Sequence, residues 1–504
     1  MSDLVALLRL VGALWVLVRA DALLPRGLDP YLPPSARLLA RFLRLFAGPA
    51  ARRGRPGERL AVALERLGPV TIKLGQLLST RADIFGQTFA DDLARLKDRI
   101  EPFPMEVAYA EVSASLGRPA GAVFAEFHAP VAAASLAQCH PARLRDGRKV
   151  AVKVLRPGVE HRIRADIRAL RLAARWAERM GPQARRLEPR AAVAAVARSL
   201  ELELDLRMEA AGASELGEVM ALDDYMRAPE VIWEGVGKRV LTLAWAEGVT
   251  LSDAMALEQP GLDRPALATQ LIRAFLAQAL DHGVFHADLH EGNLFASPPA
   301  RLMAVDYGII GRLGGPERRY LAEILWGFLE RDYQRVSRVH FEAGYVPAHH
   351  SVETFAQAIR AVGEPIFGQN AQAVSMGRTL GQLFEITALF DMRLRPELVL
   401  LQKTMVTVEG VARRIDPEHD IWAAADPVVR RWILRELAPP ARLRRLAEEG
   451  VSVLEGLARH AKAMPVAATQ LAEEAGASSR MLWFAAGAAT AGAAFLLAVL
   501  MRGR

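Results

Sequence analysis

Residues 284 to 295 read V-F-H-A-D-L-H-E-G-N-L-F, and residues 302 to 310 read L-M-A-V-D-Y-G-I-I. His286, Asp288 and Asn293 stand in the order H-x-D-x-x-x-x-N, and Asp306-Tyr307-Gly308 follows after a short apolar run. Phosphoryl transfer calls for these residue types. The transferred group passes through a loose, in-line transition state, so a protein positions and neutralises more than it reacts. Asp288 is placed to orient or deprotonate an acceptor, and Asn293 and Asp306 offer hard oxygen ligands to Mg²⁺. A β-like segment, Arg301 to Val305, joins the two motifs and holds them in register.

The same spacing marks the catalytic loop and metal-binding turn of kinase-like phosphotransferases, which need a lysine on an upstream strand. The stretch L-R-D-G-R-K-V-A-V-K-V, residues 144 to 154, supplies one. Asp146-Gly147 signals a hairpin, Val150, Val152 and Val154 alternate as in a strand, and Lys153 occupies the place of the lysine that contacts the α- and β-phosphates. The preceding hairpin carries Ala132-Ala133-Ala134-Ser135 where a phosphate-covering loop normally has glycines. Alanine admits close approach of backbone N–H groups but does not reach positive φ cheaply, so this loop is expected to be stiff. Gly235-Val236-Gly237 is an incomplete phosphate-loop pattern and reads as a turn.

A buried lysine needs a counter-charge. The helical, charged region 159 to 217 contains E-L-E-L-D-L-R-M-E-A at 201 to 210, so Glu203 and Glu209 are the candidates. Residues 238 to 249 predict a strand running into a hinge, and Leu262 to Leu280 a long apolar helix entering the catalytic loop. Upstream, Gly68-Pro69 opens a helix bearing Lys73-Leu74-Gly75-Gln76, which read alone is an ordinary solvated face. Asp91 to Ile100 predicts a further short helix. After Gly315, helices alternate with turns to about residue 470 and bring no new chemistry.

The 504 residues allow a multi-part core; 52% are apolar, and the net charge is +7. That excess is almost wholly arginine, with seven lysines in all, two of them (Lys73 and Lys153) inside the motifs above. It suits an anionic membrane surface, whereas no basic run is interleaved with aromatics, which speaks against nucleic acid. A single cysteine, Cys139, excludes an internal disulfide and cysteine-rich metal sites. It reads as a small strand residue. Near the N-terminus, Leu10 to Val18 is uncharged but too short to span a bilayer, and it predicts a helix lying on a membrane or on the later domain. Ser35 to Phe46 reads as a basic amphipathic helix. Residues 481 to 501 carry no charge and make a helix about 30 Å long, the thickness of the hydrocarbon core.

With these pieces together, the chain resembles the UbiB family of atypical kinases, bacterial relatives of the mitochondrial ubiquinone-pathway kinases. The resemblance rests on K-L-G-Q (73 to 76), A-A-A-S (132 to 135), V-A-V-K (150 to 153), E-L-D (203 to 205), E-A (209 to 210), H-A-D-L-H-E-G-N (286 to 293) and D-Y-G (306 to 308). It implies an α+β, two-lobed kinase-like fold with an N-terminal helical extension and a C-terminal transmembrane helix. The corresponding division is 1–64 membrane-associated helices, 65–124 the K-x-G-Q extension, 125–244 the N-lobe, 245–440 the C-lobe, 441–480 a helical linker and 481–501 the span. The resemblance further implies ATP or ADP with Mg²⁺, bound among Ala132, Ala133, Ala134, Ser135, Gln138 and Lys153. Glu209 would pair with Lys153, while Lys73, Gln76, Glu203 and Asp205 would cover the pocket; Asp288, Lys153 and Asn293 would be catalytic, and Asn293 and Asp306 would hold metal. Partners implied are membrane lipids and ubiquinone-pathway enzymes or prenylated quinone precursors, at the cytoplasmic face of the inner membrane. Four positions depart from the family pattern: Glu291 for proline, Tyr307 for phenylalanine, Gly212 for asparagine and Cys139 for an aliphatic residue. Two other readings share the catalytic motif: a small-molecule phosphotransferase of the aminoglycoside or choline type, and a nucleotide-switched lipid-binding scaffold.

Deletion of residues 481–504 is expected to release the protein from membranes while leaving ATP binding largely intact. Vesicle flotation of the full-length and truncated chains checks this, and full-length protein that is soluble without detergent would contradict it.

Overall fold

In a computed structural model, the described residues are 2–22, 38, 41–48, 54–79, 87–94, 96, 101–179, 189–367, 386, 389–392 and 396–437. The expected span at 481–501 lies outside them, as do residues 35–37, 39 and 40 of the expected helix at 35–46. Among the described residues, no helix is long and apolar enough to cross a membrane. The chain divides into one unit, residues 1–431, and a second beginning at Trp432. The first unit holds two lobes.

The N-lobe is built on an antiparallel sheet of β1 (Phe124–Phe127), β2 (Ala132–Ala133), β3 (Ala137–Leu144), β4 (Lys149–Leu155) and β5 (Val240–Ala244), in the order β1-β3-β4-β5 with β2 against β3. The Asp146-Gly147 signal is a tight turn between β3 and β4: Gly147 has φ 88° and Leu144 N–H donates to the Arg148 carbonyl. Alternation then does what the sequence asks. Val150, Val152 and Val154 are fully buried with Phe124, Leu144 and Val240, while Lys153 takes the opposite face, toward the cleft.

Helices wrap this sheet. At the N-terminal side stand α1 (Ser2–Arg19), α2 (Pro56–Leu67), α3 (Pro69–Ser79), α4 (Gln87–Ala94) and α5 (Met105–Leu116). Gly68 ends α2 at φ 108° and Pro69 starts α3, so the K-x-G-Q helix begins where the sequence places it. The charged region resolves into α6 (Val159–Arg179), α7 (Pro189–Glu203) and α8 (Leu206–Asp223). Of the two readings for the N-terminal helix, packing on the later domain is realised. α1 lies against α6, buries Leu10 and Val18, and pairs Arg9 with Asp166, while Leu8, Val11 and Trp15 remain exposed.

The C-lobe follows the hinge. A small sheet holds β6 (Val249–Thr250), β8 (Leu294–Ser297) and β9 (Arg301–Ala304), and a two-stranded ribbon pairs β7 (Val284–His286) with β10 (Ile310–Arg312). The apolar helix expected at 262–280 is α9 (Arg264–Ala277), capped by the Asp263 carboxylate accepting from Ala266 N–H and extended by a π-turn through His282. Pro265 at its start and the buried Leu267, Leu271 and Phe275 explain why it begins and lies where it does. The helices α10 (Gly315–Leu329), α11 (Tyr333–Glu342), α12 (Val352–Phe367), α13 (Pro396–Ile415) and α14 (Ile421–Leu437) complete the described chain. β7 and β10 flank the two motifs of residues 284–310, and α13 packs against α9 behind them.

Candidate active site

The two motifs are laced to each other by backbone bonds. Val305 N–H donates to the Asn293 carbonyl (2.9 Å) and Ala287 N–H to the Ile309 carbonyl (3.0 Å). His286, wholly buried, completes the lacing: its Nδ1 accepts from Asp288 N–H (3.1 Å), so Nε2 carries the proton donated to the Val305 carbonyl (3.1 Å). Burial depresses its pKa, and the neutral imidazole works as a spacer between the 286–293 loop and the Asp306 turn. Asn293 Nδ2 donates to the Asp288 carbonyl (3.0 Å), which leaves its Oδ1 as an acceptor on the cleft wall. Asp306 adopts φ 63°, a left-handed conformation that aspartate tolerates better than most residues. Tyr307 is buried beside His286, donates its hydroxyl to the Ala304 carbonyl (2.8 Å), and has its pKa raised by burial.

Across the cleft, Lys153 Nζ lies 2.8 and 2.9 Å from the two Glu209 oxygens and 3.1 Å from Asp306 Oδ1. Burial opposes the ammonium charge, but the Asp306 and Glu209 carboxylates outweigh it and raise its pKa. Lys153 in turn holds Asp306 down to about 2. For Glu209 burial dominates and pushes the pKa up to about 7, against the pull of Lys153. Asp306, ionised on the cleft floor beside an ammonium that it shares with Glu209, offers a negative charge that favours a cation there. The oxygen set of Asn293 and Asp306 fits Mg²⁺, a hard ion that takes one or two protein ligands and completes its shell with phosphate and water.

The cavity between the lobes has a volume of about 730 Å³. Its roof is Val131 to Ala134 with Ala137 to Cys139, its floor Asn293, Phe295 and Asp306, and its back wall the hinge Leu243 to Ala246. None of Ala132, Ala133 and Ala134 has positive φ, as their side chains require, and Ala134 N–H is spent within the hairpin on the Ala137 carbonyl (2.8 Å). The hairpin is also tied down from behind. Gln138, buried in β3, accepts from Phe103 N–H (2.9 Å) and donates to the Phe103 carbonyl (3.2 Å) and to His140 Nε2 (2.8 Å). Arg156 Nε reaches the Ala134 carbonyl (2.8 Å), and its Nη2 the Glu101 carbonyl (2.7 Å). Cys139 forms part of the roof, half-buried, its thiol pushed up to about 11 by burial, which suits a wall residue and not a nucleophile.

Several residues expected at the pocket stand elsewhere. Lys73 pairs with Glu203, locking α3 to α7, and neither lines the cavity; Gln76, half-buried on α3, does not line it either. Two opposite charges on facing helices satisfy each other before they reach the cleft. Asp205 is the N-cap of α8: its carboxylate accepts from Arg207 N–H (3.2 Å) and from the Arg207 guanidinium. Aspartate between two helices is favoured there for capping alone. Ser135 is buried and lies off the wall. The Asp288 carboxylate is partly exposed, 3.8 Å from His290 Nε2, and enters the site through its carbonyl on Asn293.

Two family models match the chain: the ABC1 atypical kinase-like domain over residues 95–340 and the UbiB helical domain over 359–420. A probable protein kinase UbiB from Xylella fastidiosa strain M12 is 41% identical over 397 residues, spanning 77% of this chain and 72% of the relative. The protein of the same name from strain 9a5c is 40% identical over the same spans. The chain belongs to the UbiB family. It is thus an atypical protein-kinase-like enzyme. A solved structure of Mycobacterium tuberculosis Rv3197 with erythromycin shares the fold, with a TM-score of 0.52 and 22% identity over 78% of this chain and 98% of that one.

The helical domain explains how this UbiB chain holds its catalytic loop. Thr404 on α13, buried, shares its hydroxyl proton between the Leu400 carbonyl of its own helix (2.8 Å) and the Ala287 carbonyl (3.1 Å), and Arg414 pairs with Glu291, one of the four departures from the family pattern. Gly212 is another: an added Cβ would lie 2.3 Å from Ile310 Cδ1, so α8 approaches β10 closely while Glu209, one turn earlier, still meets Lys153. No local pattern in the sequence marks Thr404, Arg414 or Arg156, because each acts on a backbone or side chain more than a hundred residues away or on an unremarkable loop carbonyl.

Lys153→Ala, which strands the buried Glu209 carboxylate, is expected to destabilise the protein by about 3 kcal/mol; Glu209→Gln, which leaves Lys153 paired with Asp306, is expected to cost less. Their double-mutant cycle in urea unfolding should show coupling on the order of 0.5–3 kcal/mol. Additive losses would mean the pair contributes nothing as a pair.

Proposed function

We propose that the chain binds a magnesium–adenine nucleotide in the inter-lobe cavity and hydrolyses it, or transfers its terminal phosphoryl group to a small acceptor, in support of ubiquinone synthesis at the inner membrane. The observation that carries this reading is Lys153 bound to both Glu209 and Asp306 under the alanine hairpin, with Asn293 on the same wall. The apolar hinge wall suits an adenine ring. Lys153, fixed by Glu209, meets phosphate as a point charge. When bound, Mg²⁺ would neutralise phosphate oxygens, held by Asn293 Oδ1 and the Asp306 carboxylate. Asp288 orients the acceptor or the attacking water, and His286 keeps its backbone at a fixed distance from the Asp306 turn. The ubiquinone setting comes from the family, and the membrane setting from the uncharged stretch at 481–501 together with the exposed apolar face of α1.

A hairpin pinned through Gln138 and Arg156, with three alanines at negative φ, resists the wrapping and release that rapid protein phosphorylation needs. Wild-type protein is therefore expected to release phosphate from ATP while incorporating little label into generic peptides. Ala133→Gly should loosen the hairpin, change nucleotide selectivity and raise autophosphorylation. Labelled-phosphate incorporation measured beside phosphate release checks both; vigorous peptide phosphorylation by the wild type, unchanged in Ala133→Gly, contradicts the reading.

A further inference from the structure

Remote from the cleft, two segments about forty residues apart bring imidazoles and a carboxylate together. His349 Nε2 is 3.6 Å and His350 Nε2 3.3 Å from the same oxygen of Asp391, Oδ2, and the three ligand atoms lie within 4.8 Å of one another. The two rings sit 4.1 Å apart, centroid to centroid, both aimed at that oxygen. Among the described residues this is the one group of three or more histidine, cysteine, aspartate or glutamate side chains spaced to share an ion.

The core fixes the segments that carry them. His350 immediately precedes Ser351, whose hydroxyl accepts from Thr354 N–H (3.2 Å) at the start of α12, and its ring packs 5.2 Å from Phe390. Phe390 is buried against Phe355 (5.0 Å, edge to face) in the cluster that also holds Tyr333 and Val336. Asp391, next in the chain, is set at φ 49°. The carboxylate and the histidines are thus presented by a packed core and not by two free loops, while His349 and Asp391 stay open to solvent.

We propose that His349, His350 and Asp391 form a divalent transition-metal site of the zinc type, separate from the nucleotide cleft, that staples the turn before α12 to the segment at 389–392. Two imidazoles and one carboxylate are a ligand set for zinc with the fourth position open to water. With metal–ligand bonds of about 2.0–2.1 Å and tetrahedral angles, ligand atoms stand about 3.3–3.4 Å apart, close to the two N···O separations here. Magnesium, which wants oxygen ligands and an octahedron, is ill served by this set. The histidines lie between the two matched domains and Asp391 within the helical one, so the ion would tie that domain to the turn that leads into it.

The test is Co²⁺ and Zn²⁺ titration of the purified full-length chain, with the visible Co²⁺ spectrum reporting geometry and a thermal scan reporting stability. One ion per chain is expected, with an intense tetrahedral-type Co²⁺ spectrum and a Tm raised by Zn²⁺. His349→Ala and Asp391→Asn, both at exposed positions, should each weaken uptake at least tenfold, since loss of outer-shell partners alone costs about 10–100-fold. The titration is run in excess Mg²⁺ without nucleotide, so that Mg²⁺ takes the oxygen ligands of the cleft and the Co²⁺ counted is that held by the histidines, which separates the two sites. Equal uptake by wild type, His349→Ala and Asp391→Asn, or a weak octahedral-type spectrum, would overturn the proposal.

Discussion

The Lys153 ammonium, shared between Glu209 on α8 and Asp306 at the end of the β9 turn, is the contact on which the two-lobed arrangement depends. It joins a strand of the N-lobe, a helix that crosses behind it and the Asp306 turn of the C-lobe. Lys153 is half-buried at the cleft, and only the assembled fold brings both carboxylates to it. The close seat of Gly212 on Ile310 serves the same end, because it lets α8 sit near enough to β10 for Glu209 to reach across.

Around that contact the protein is organised for stiffness. His286 ties the catalytic loop to the Val305 carbonyl before the Asp306 turn, while Gln138 and Arg156 tie the roof hairpin to the stretch at 101–103. The helical domain adds a second layer through Thr404 and Arg414. A glycine-rich roof would undo much of this. The alanines keep the backbone in its common region, and the hairpin closes on its own Ala137 carbonyl.

Much of this was legible from the residues alone where the signal is local. The Asp146-Gly147 turn, the alternation that sends Lys153 to the cleft and the paired motifs at 286–308 all follow from short-range rules. Glu209 emerged as a candidate because a buried lysine needs a partner. The placement of Lys73, Glu203 and Asp205 did not emerge: the first two neutralise each other between helices and the third caps one, outcomes set by which helices face each other. Thr404, Arg414 and the His349–His350–Asp391 group carry no local signal for the same reason, since nothing in the pattern after Gly315 says where those side chains meet.

The magnesium–nucleotide reading of the cleft stands on one group, the Asp306 carboxylate poised on Lys153. A thermal-shift titration with ATP, with and without Mg²⁺, on wild type and Asp306→Asn puts that group to the test. Mg²⁺ is expected to strengthen nucleotide binding in the wild type, and Asp306→Asn to abolish this gain, because a charged oxygen ligand is lost. Equal Mg²⁺–nucleotide affinity in the two proteins would contradict the assignment.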